Sequence, residues 1–118
     1  MRGDGKEVLI GTENSELIGF AVLQIKGTFK GYIQSILIKS NHQGQGFGSA
    51  LLRYCEERIF QFSPNVFICV SSFNIKAERL YLKLGYSKIG DLNDFIVKGH
   101  SEILLRKTIG PILEFKPQ

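Results

Sequence analysis

Apolar positions come first in short strand-like runs and then shift to helical spacing, and these changes of period divide the chain into its elements. Val8 to Thr12 is a short β-like run, Glu13-Asn14-Ser15-Glu16 is a polar turn, and Leu17 to Ile25 (LIGFAVLQI) is a longer apolar run with β-branched and aromatic residues. Together they predict a hairpin. After a loop over Lys26 to Gly31, the strand Tyr32 to Lys39 puts Gln34, Ile36 and Ile38 on one face and Ile33, Ser35 and Leu37 on the other. Its C-terminal end is thus apolar on both sides, as in an internal strand.

A Gly-rich turn, Gln43-Gly44-Gln45-Gly46-Phe47-Gly48, leads directly into a helical pattern in which Phe47, Leu51, Cys55 and Ile59 recur every four residues and Leu52 widens the stripe. Ser63-Pro64-Asn65 ends that helix, and Val66 to Val70 (VFICV) suits a buried strand. Asn74 is placed to cap a second helix with the stripe Ala77, Leu80, Tyr81 and Leu84, and Gly85 stands where a left-handed C-terminal cap belongs. Tyr86 to Ile89, Asp94 to Val97 and Glu102 to Arg106 are short strand candidates, and the tail from Gly110, with two prolines, is expected to wrap the surface. No repeat or low-complexity tract interrupts the order β-β-β-α-β-α-β-β, which is that of a mixed α/β layer fold.

Composition narrows the class. The chain has 118 residues, 43% hydrophobic and 22% charged, which fits a single domain over residues 1–118. Nine Phe and four Tyr argue against disorder. No apolar run approaches the roughly 20 residues of a spanning helix. The start, MRGDGKEVLIG, is charged and Gly-rich, unlike a signal peptide. A soluble cytoplasmic domain is expected. Cys55 and Cys69 form no CxxC pair, and with only His42 and His100 beside them no zinc-ligand spacing exists, so no metal is expected and the thiols read as small buried hydrophobes.

The net charge is +4, and its distribution says more than its size. No carboxylate lies between Glu16 and Glu56, while Lys26, Lys30, Lys39 and Arg53 do; the remaining 11 basic and 11 acidic residues cancel. A local positive field of this kind favours an anionic partner. The Gly-rich turn lies in the same window. A strand, a Gly-rich turn and a helix make an anion site, because unpaired N–H groups of the first helical turn converge and glycines let a phosphate approach the backbone.

Two nucleotide fingerprints compete for this turn and fail. The dinucleotide pattern wants an acid at the end of the next strand, which here reads Val70-Ser71-Ser72, and the P-loop pattern wants G-K-[ST], which neither Gly46-Phe47 nor Gly48-Ser49 supplies. What fits is Q-x-x-G-x-G from Gln43 to Gly48 after the strand Ile36-Leu37-Ile38, together with Asn74-x-x-Ala77-x-x-Leu80-Tyr81-x-Lys83-x-Gly85-Tyr86 one helix and one strand later. These two strings resemble the signatures of the GNAT superfamily of acetyl-CoA-dependent N-acetyltransferases, and the resemblance covers about Leu17 to Lys107.

The resemblance implies a GNAT-like mixed sheet, mostly antiparallel with one parallel strand pair, flanked by helices. It implies acetyl-CoA as co-substrate, its pyrophosphate cradled by Gln43, Gly44, Gln45, Gly46, Phe47, Gly48 and Ser49. Pantetheine would pair with the backbone of Leu37 and Ile38 like an added strand, steadied by Asn74. Tyr81 would protonate the leaving thiolate. On residues alone, Tyr81 is equally an aromatic member of a core stripe, Asn74 an N-cap, and Arg79 and Lys83 solvated charges within reach of phosphates.

The family's usual carboxylate before the loop is replaced here by Gln34 and Ser35, which leaves Glu16, Asp94, His100, Glu102 or a water chain as the base. The strand and two helices with which most members begin also lack a counterpart. Either the acceptor pocket is open or a second subunit, as in a homodimer, supplies the wall. An α-amino group, with a pKa of about 7.7–8.0, needs less help from a base than a lysine at about 10.4. The expected function is therefore acetyl transfer to a small-molecule amine or a protein α-amino group by direct attack in a ternary complex. The alternative is a non-catalytic acyl-CoA-binding or regulatory module. Neither nucleic acid nor membrane is an expected partner.

Overall fold

A computed structural model describes residues 5–117. Met1 to Asp4, on which part of the leader argument rests, and Gln118 lie outside the described residues. In chain order the elements are β1 (Lys6–Glu13), β2 (Glu16–Gln24), β3 (Tyr32–Ile38), α1 (Phe47–Ile59), β4 (Asn65–Ser71), α2 (Ile75–Lys83), β5 (Ser87–Asn93) and β6 (Ser101–Thr108). Single 3-10 turns occupy Ser40–His42 and Ile112–Glu114. The strands form one sheet in the order β1-β2-β3-β4-β6-β5, antiparallel throughout except for the β3–β4 pair. This is the mixed sheet that the sequence predicts.

Both helices cover one face. Leu51, Leu52, Cys55 and Ile59 of α1 join Leu23, Ile33, Val66, Ile68 and Leu105 in a single core, each fully or nearly fully buried. Burial of each larger aliphatic side chain stabilises the fold by about 1.5–3 kcal/mol. Arg58 of α1 reaches the edge strand, donating to both carboxylate oxygens of Glu7 at 2.6 and 3.0 Å. From α2 the packing stripe is Ala77, Tyr81 and Leu84. Leu80, which helical spacing adds to that stripe, remains 43% exposed.

Two sequence expectations change. Asp94 to Val97 is a turn, not a strand: Asp94 takes φ 55° and accepts from the Gly99 amide at 2.6 Å, closing the β5–β6 connection over Phe95, Ile96 and Val97. Strand propensity yields there to turn geometry, and β5 instead runs on to Asn93.

The second change is at Gln34. Leu23 pairs with Ile33 and Val22 with Ser35, so Gln34 is an extra residue and β3 carries a bulge. The bulge reverses the alternation beyond it. Ile33, Ile36 and Ile38 share the core face, Gln34 is exposed and Leu37 is 58% exposed. Strict alternation cannot show this, because a one-residue insertion flips every later side chain.

The same bulge bends β3 away from β4. Their parallel pairing is confined to Tyr32↔Phe67 and Ile33↔Ile68. Beyond Ile33 the two strands diverge, and the sheet opens into a slot.

Candidate active site

The slot is a cleft of about 260 Å³ lined from both sides of the sheet. Ile68, Ala77 and Tyr81 line it from the helical face, and Gln34, Cys69, Ser71 and Glu102 from the opposite one. A larger groove of about 420 Å³ between the β1–β2 hairpin and α1 has Thr12 and Tyr54 as its only polar side chains among the described residues, so it offers no carboxylate, imidazole or cation. Of the expected site residues, Asn74, Tyr81 and Glu102 meet at the slot, which the Gly-rich turn does not line.

Along the slot, β3 has lost its β4 partner. Lys39 donates its amide to Ile18 O of β2 at 2.7 Å, and Phe20 pairs with Leu37 in the same ladder. Because backbone groups alternate along a strand, the amides of Leu37 and Lys39 face β2, whereas those of Ile36 and Ile38 face the open side. Of the two residues expected to pair with pantetheine, Ile38 thus faces the open side and Leu37 faces β2, and Ile36 is the other residue on the open side. The Ile38 carbonyl already accepts from Gln43 Nε2 at 2.9 Å.

The Gly-rich turn follows directly. Gly44 and Gly46 have φ of 78° and 86°, with open space around both, so glycine is required there by conformation and not by crowding. Gln43 braces the turn against the end of β3, and Gln45 Nε2 braces it against Asn41 O at 3.3 Å. Gly46 begins α1 without a side-chain cap, and the first acidic residue of the helix, Glu56, comes only near its end. The amides of Phe47, Gly48 and Ser49 thus present a partial positive charge with no side chain of the turn to neutralise it.

The second helix brings two further residues to the slot. Asn74 Oδ1 accepts from the Ala77 amide at 3.2 Å, which is the N-cap role, while its Nδ2 is left for a second partner. Tyr81 is fixed by the other end of α2. Gly85, at φ 102°, donates to Leu82 O, and Tyr86 donates to Tyr81 O at 3.0 Å, closing a Schellman cap. Its hydrophobic contact is the Tyr81–Tyr86 ring pair, with centroids 5.6 Å apart. Burial pushes the Tyr81 pKa upward and keeps the phenol protonated, so that it carries a proton to donate.

Behind Tyr81 lies a network that sequence reasoning missed. The Tyr86 hydroxyl donates to Glu56 Oε2 at 2.8 Å, and Lys107 Nζ holds Glu56 Oε1 at 3.0 Å. It ties α1, β6 and the end of α2 together beneath the catalytic candidate. Only the Tyr at position 86 in the motif hinted at it, and its partners lie 30 and 21 residues away (86−56 and 107−86).

Of the carboxylates and histidine left open as base, the fold brings one to the slot. Glu16 is exposed and bound to Lys39, Asp94 is spent in its turn, and His100 lies against the Phe73 ring outside the slot. Glu102 is 8% exposed, lines the slot, and accepts from Ser71 Oγ at 2.8 Å. No group of three or more potential metal ligands occurs among the described residues, and no helix there is long and apolar enough to cross a membrane.

The family model described as the acetyltransferase (GNAT) family matches residues 2–86. Solved structures share the fold at low identity. The ribosomal-protein-S18-alanine N-acetyltransferase of Escherichia coli is 20% identical with a TM-score of 0.81, covering 98% of this chain and 77% of its own. A GNAT family acetyltransferase from Elizabethkingia anophelis with acetyl-CoA bound is 21% identical with a TM-score of 0.77, covering 89% and 77%. The IAA acetyltransferase of Bacillus cereus is 19% identical with a TM-score of 0.78, covering 89% and 79%. No curated protein matches the chain by sequence.

Proposed function

Because the chain belongs to the acetyltransferase (GNAT) family, we propose that it moves the acetyl group of acetyl-CoA onto a primary amine by direct attack in a ternary complex. The observation that carries this reading is the slot itself. An unpaired strand edge, Asn74 and a buried phenol meet at one opening through the sheet, and the same edge runs on through Ile38, which Gln43 ties to the turn before the uncapped N-terminus of α1.

Acetyl-CoA supplies a thioester whose carbonyl carbon is the electrophile and whose thiolate is the leaving group. On the protein side, the Gly44–Ser49 turn holds the pyrophosphate on its amides. Ile36 and the amide of Ile38 extend the open edge to pantetheine as a strand would, and Asn74 Nδ2 adds a hydrogen bond. Tyr81, held neutral by its burial, donates to the departing sulfur. The acceptor class is a small-molecule amine or a protein α-amino group. By their names, one neighbour of this fold acts on an alanine of ribosomal protein S18 and another on an aminoglycoside, so both acceptor classes are represented.

Release of free CoA from acetyl-CoA with a panel of amines and N-terminal peptides tests the reading. Turnover by the wild type is expected, with Tyr81→Phe lowering kcat about 10²–10⁴-fold while binding acetyl-CoA normally. Acetyl-CoA binding without turnover on any amine would make the chain a binding module instead. Unchanged turnover in Tyr81→Phe would remove Tyr81 as the acid.

A further inference from the structure

The transferase reading lacks a group that takes the proton from the acceptor, and the inference here rests on that reading. We infer that Glu102, on β6, is this proton acceptor: it stands at the helix-free mouth of the slot, opposite Tyr81, with its carboxylate held by Ser71.

The placement follows from register. Ser71 and Glu102 are direct partners across β4 and β6, so their side chains share a face, and Ser71 Oγ donates to Glu102 Oε2. Ile103 and Leu105 alternate with Glu102 and enter the core, so Glu102 lies on the face away from the helices. Tyr81 enters the same cleft from α2, on the helical side. An acyl transfer across the sheet needs this division, with a donor beside the departing sulfur and an acceptor beside the arriving nitrogen.

The neighbours narrow the choice. The titratable groups that face Glu102 are Tyr32 on β3, Cys69 on β4 and Tyr81 on α2, while β5 presents Leu92 opposite it. Burial holds the Tyr32, Cys69 and Tyr81 protons in place, and proximity to Glu102 raises the first two further. Ser71 occupies one carboxylate oxygen and leaves the other for a ligand. Glu102 forms no ion pair within 4.0 Å among the described residues, so no fixed cation of the protein competes with an incoming ammonium.

The proton and electron count closes. The acceptor ammonium gives one proton to Glu102, and the freed lone pair bonds the thioester carbonyl carbon. The C–S bond then breaks with its electron pair on sulfur. Sulfur takes the Tyr81 hydroxyl proton, which is replaced by the second proton shed from nitrogen as the amide forms. Glu102 returns its own proton to solvent.

The experiment compares wild type, Glu102→Gln and Ser71→Ala, with acetyl-CoA affinity measured for each. With a basic aliphatic amine at pH 7, Glu102→Gln loses about 10²–10⁴-fold in kcat/KM. With an aromatic amine, already neutral at that pH, it stays within a fewfold of wild type. Ser71→Ala keeps the carboxylate but removes the hydrogen bond that holds it in place, so it should lose several-fold in kcat/KM on the basic amine and stay near wild type on the aromatic one. This arm does not depend on Gln being accepted at position 102. Equal rates for wild type and Glu102→Gln on the basic amine, an equal loss on both amines, or a Ser71→Ala variant that does not distinguish the two amines overturns the role of Glu102 and leaves the transferase reading intact. A wild type that binds acetyl-CoA yet turns over no amine overturns both.

Discussion

Replacing Gly31 with alanine tests where the slot begins. Gly31 precedes β3, has φ 95°, and accepts from the Phe67 amide at 2.9 Å, so it sets the point where β3 and β4 meet. A Cβ built there overlaps the Asn65 carbonyl oxygen and comes within 3.1 Å of Ile59 Cγ2. Asn65 is backbone in a central strand and Ile59 is fully buried, so neither has room to retreat. The left-handed conformation costs a non-glycine residue about 1–2 kcal/mol, and forced overlap in a packed region about 1–3 kcal/mol more. Gly31→Ala should therefore destabilise by about 2–5 kcal/mol, a large share of a typical 5–15 kcal/mol. Gly27 is the control, because its φ is 88° but nothing lies within 4 Å of a built Cβ. Gly27→Ala should lose only the conformational part, about 1–2 kcal/mol. Urea unfolding of both variants separates the two effects, and melting temperature should follow at roughly 4 °C per kcal/mol. Equal losses in the two variants would refute the close approach of β3 and β4 at Gly31.

Two other predictions concern the network and the buried acids. Tyr86→Phe keeps the ring against Tyr81 but strips Glu56 of a hydrogen bond, so unfolding by urea should show a loss of about 1.5–3 kcal/mol with acetyl-CoA affinity unchanged; a loss under about 0.5 kcal/mol would count against the network. Burial pushes Tyr32 and Cys55 up to about 12 from ordinary values of 10.0 and 9.0, with Tyr81 and Tyr86 also raised. Above about pH 9 the unfolded chain sheds protons that the folded chain retains, so stability is fully present below that pH and is lost as pH rises toward 12. The urea midpoint should hold up to about pH 9 and then fall steadily to pH 11, and a flat profile would contradict the burial of these groups.

Much of the site can be read along the chain because its parts are local. The Gly-rich turn announces itself by glycines at positions that need positive φ, and Asn74 and Gly85 announce the two ends of α2. Each signal acts within a few residues, through backbone conformation or a single capping bond. The base does not work this way. Glu102 reads as one of several scattered acids until β6 is laid beside β4 and Ser71 comes opposite it. The acid-free window likewise favours an anionic partner without saying which carboxylate outside it lines the slot.

By itself, then, the sequence determined the order of elements, the Gly-rich turn and the helix that carries Tyr81, because periodicity and capping are properties of neighbouring residues. Only the tertiary structure decided three things: the bulge at Gln34, the parting of β3 from β4 after Ile33, and the placing of Glu102 in the slot beside Ser71. The bulge exists in the pairing of two strands and not in one of them, so strict alternation along β3 misassigned Ile36 and Ile38. The slot exists because a parallel pair, joined through α1, touches over only two residues. Glu102 reaches it through a strand that follows β4 by 30 residues (Ser101 against Ser71). Contacts at that separation are set by the packing of the whole sheet, which no local pattern encodes.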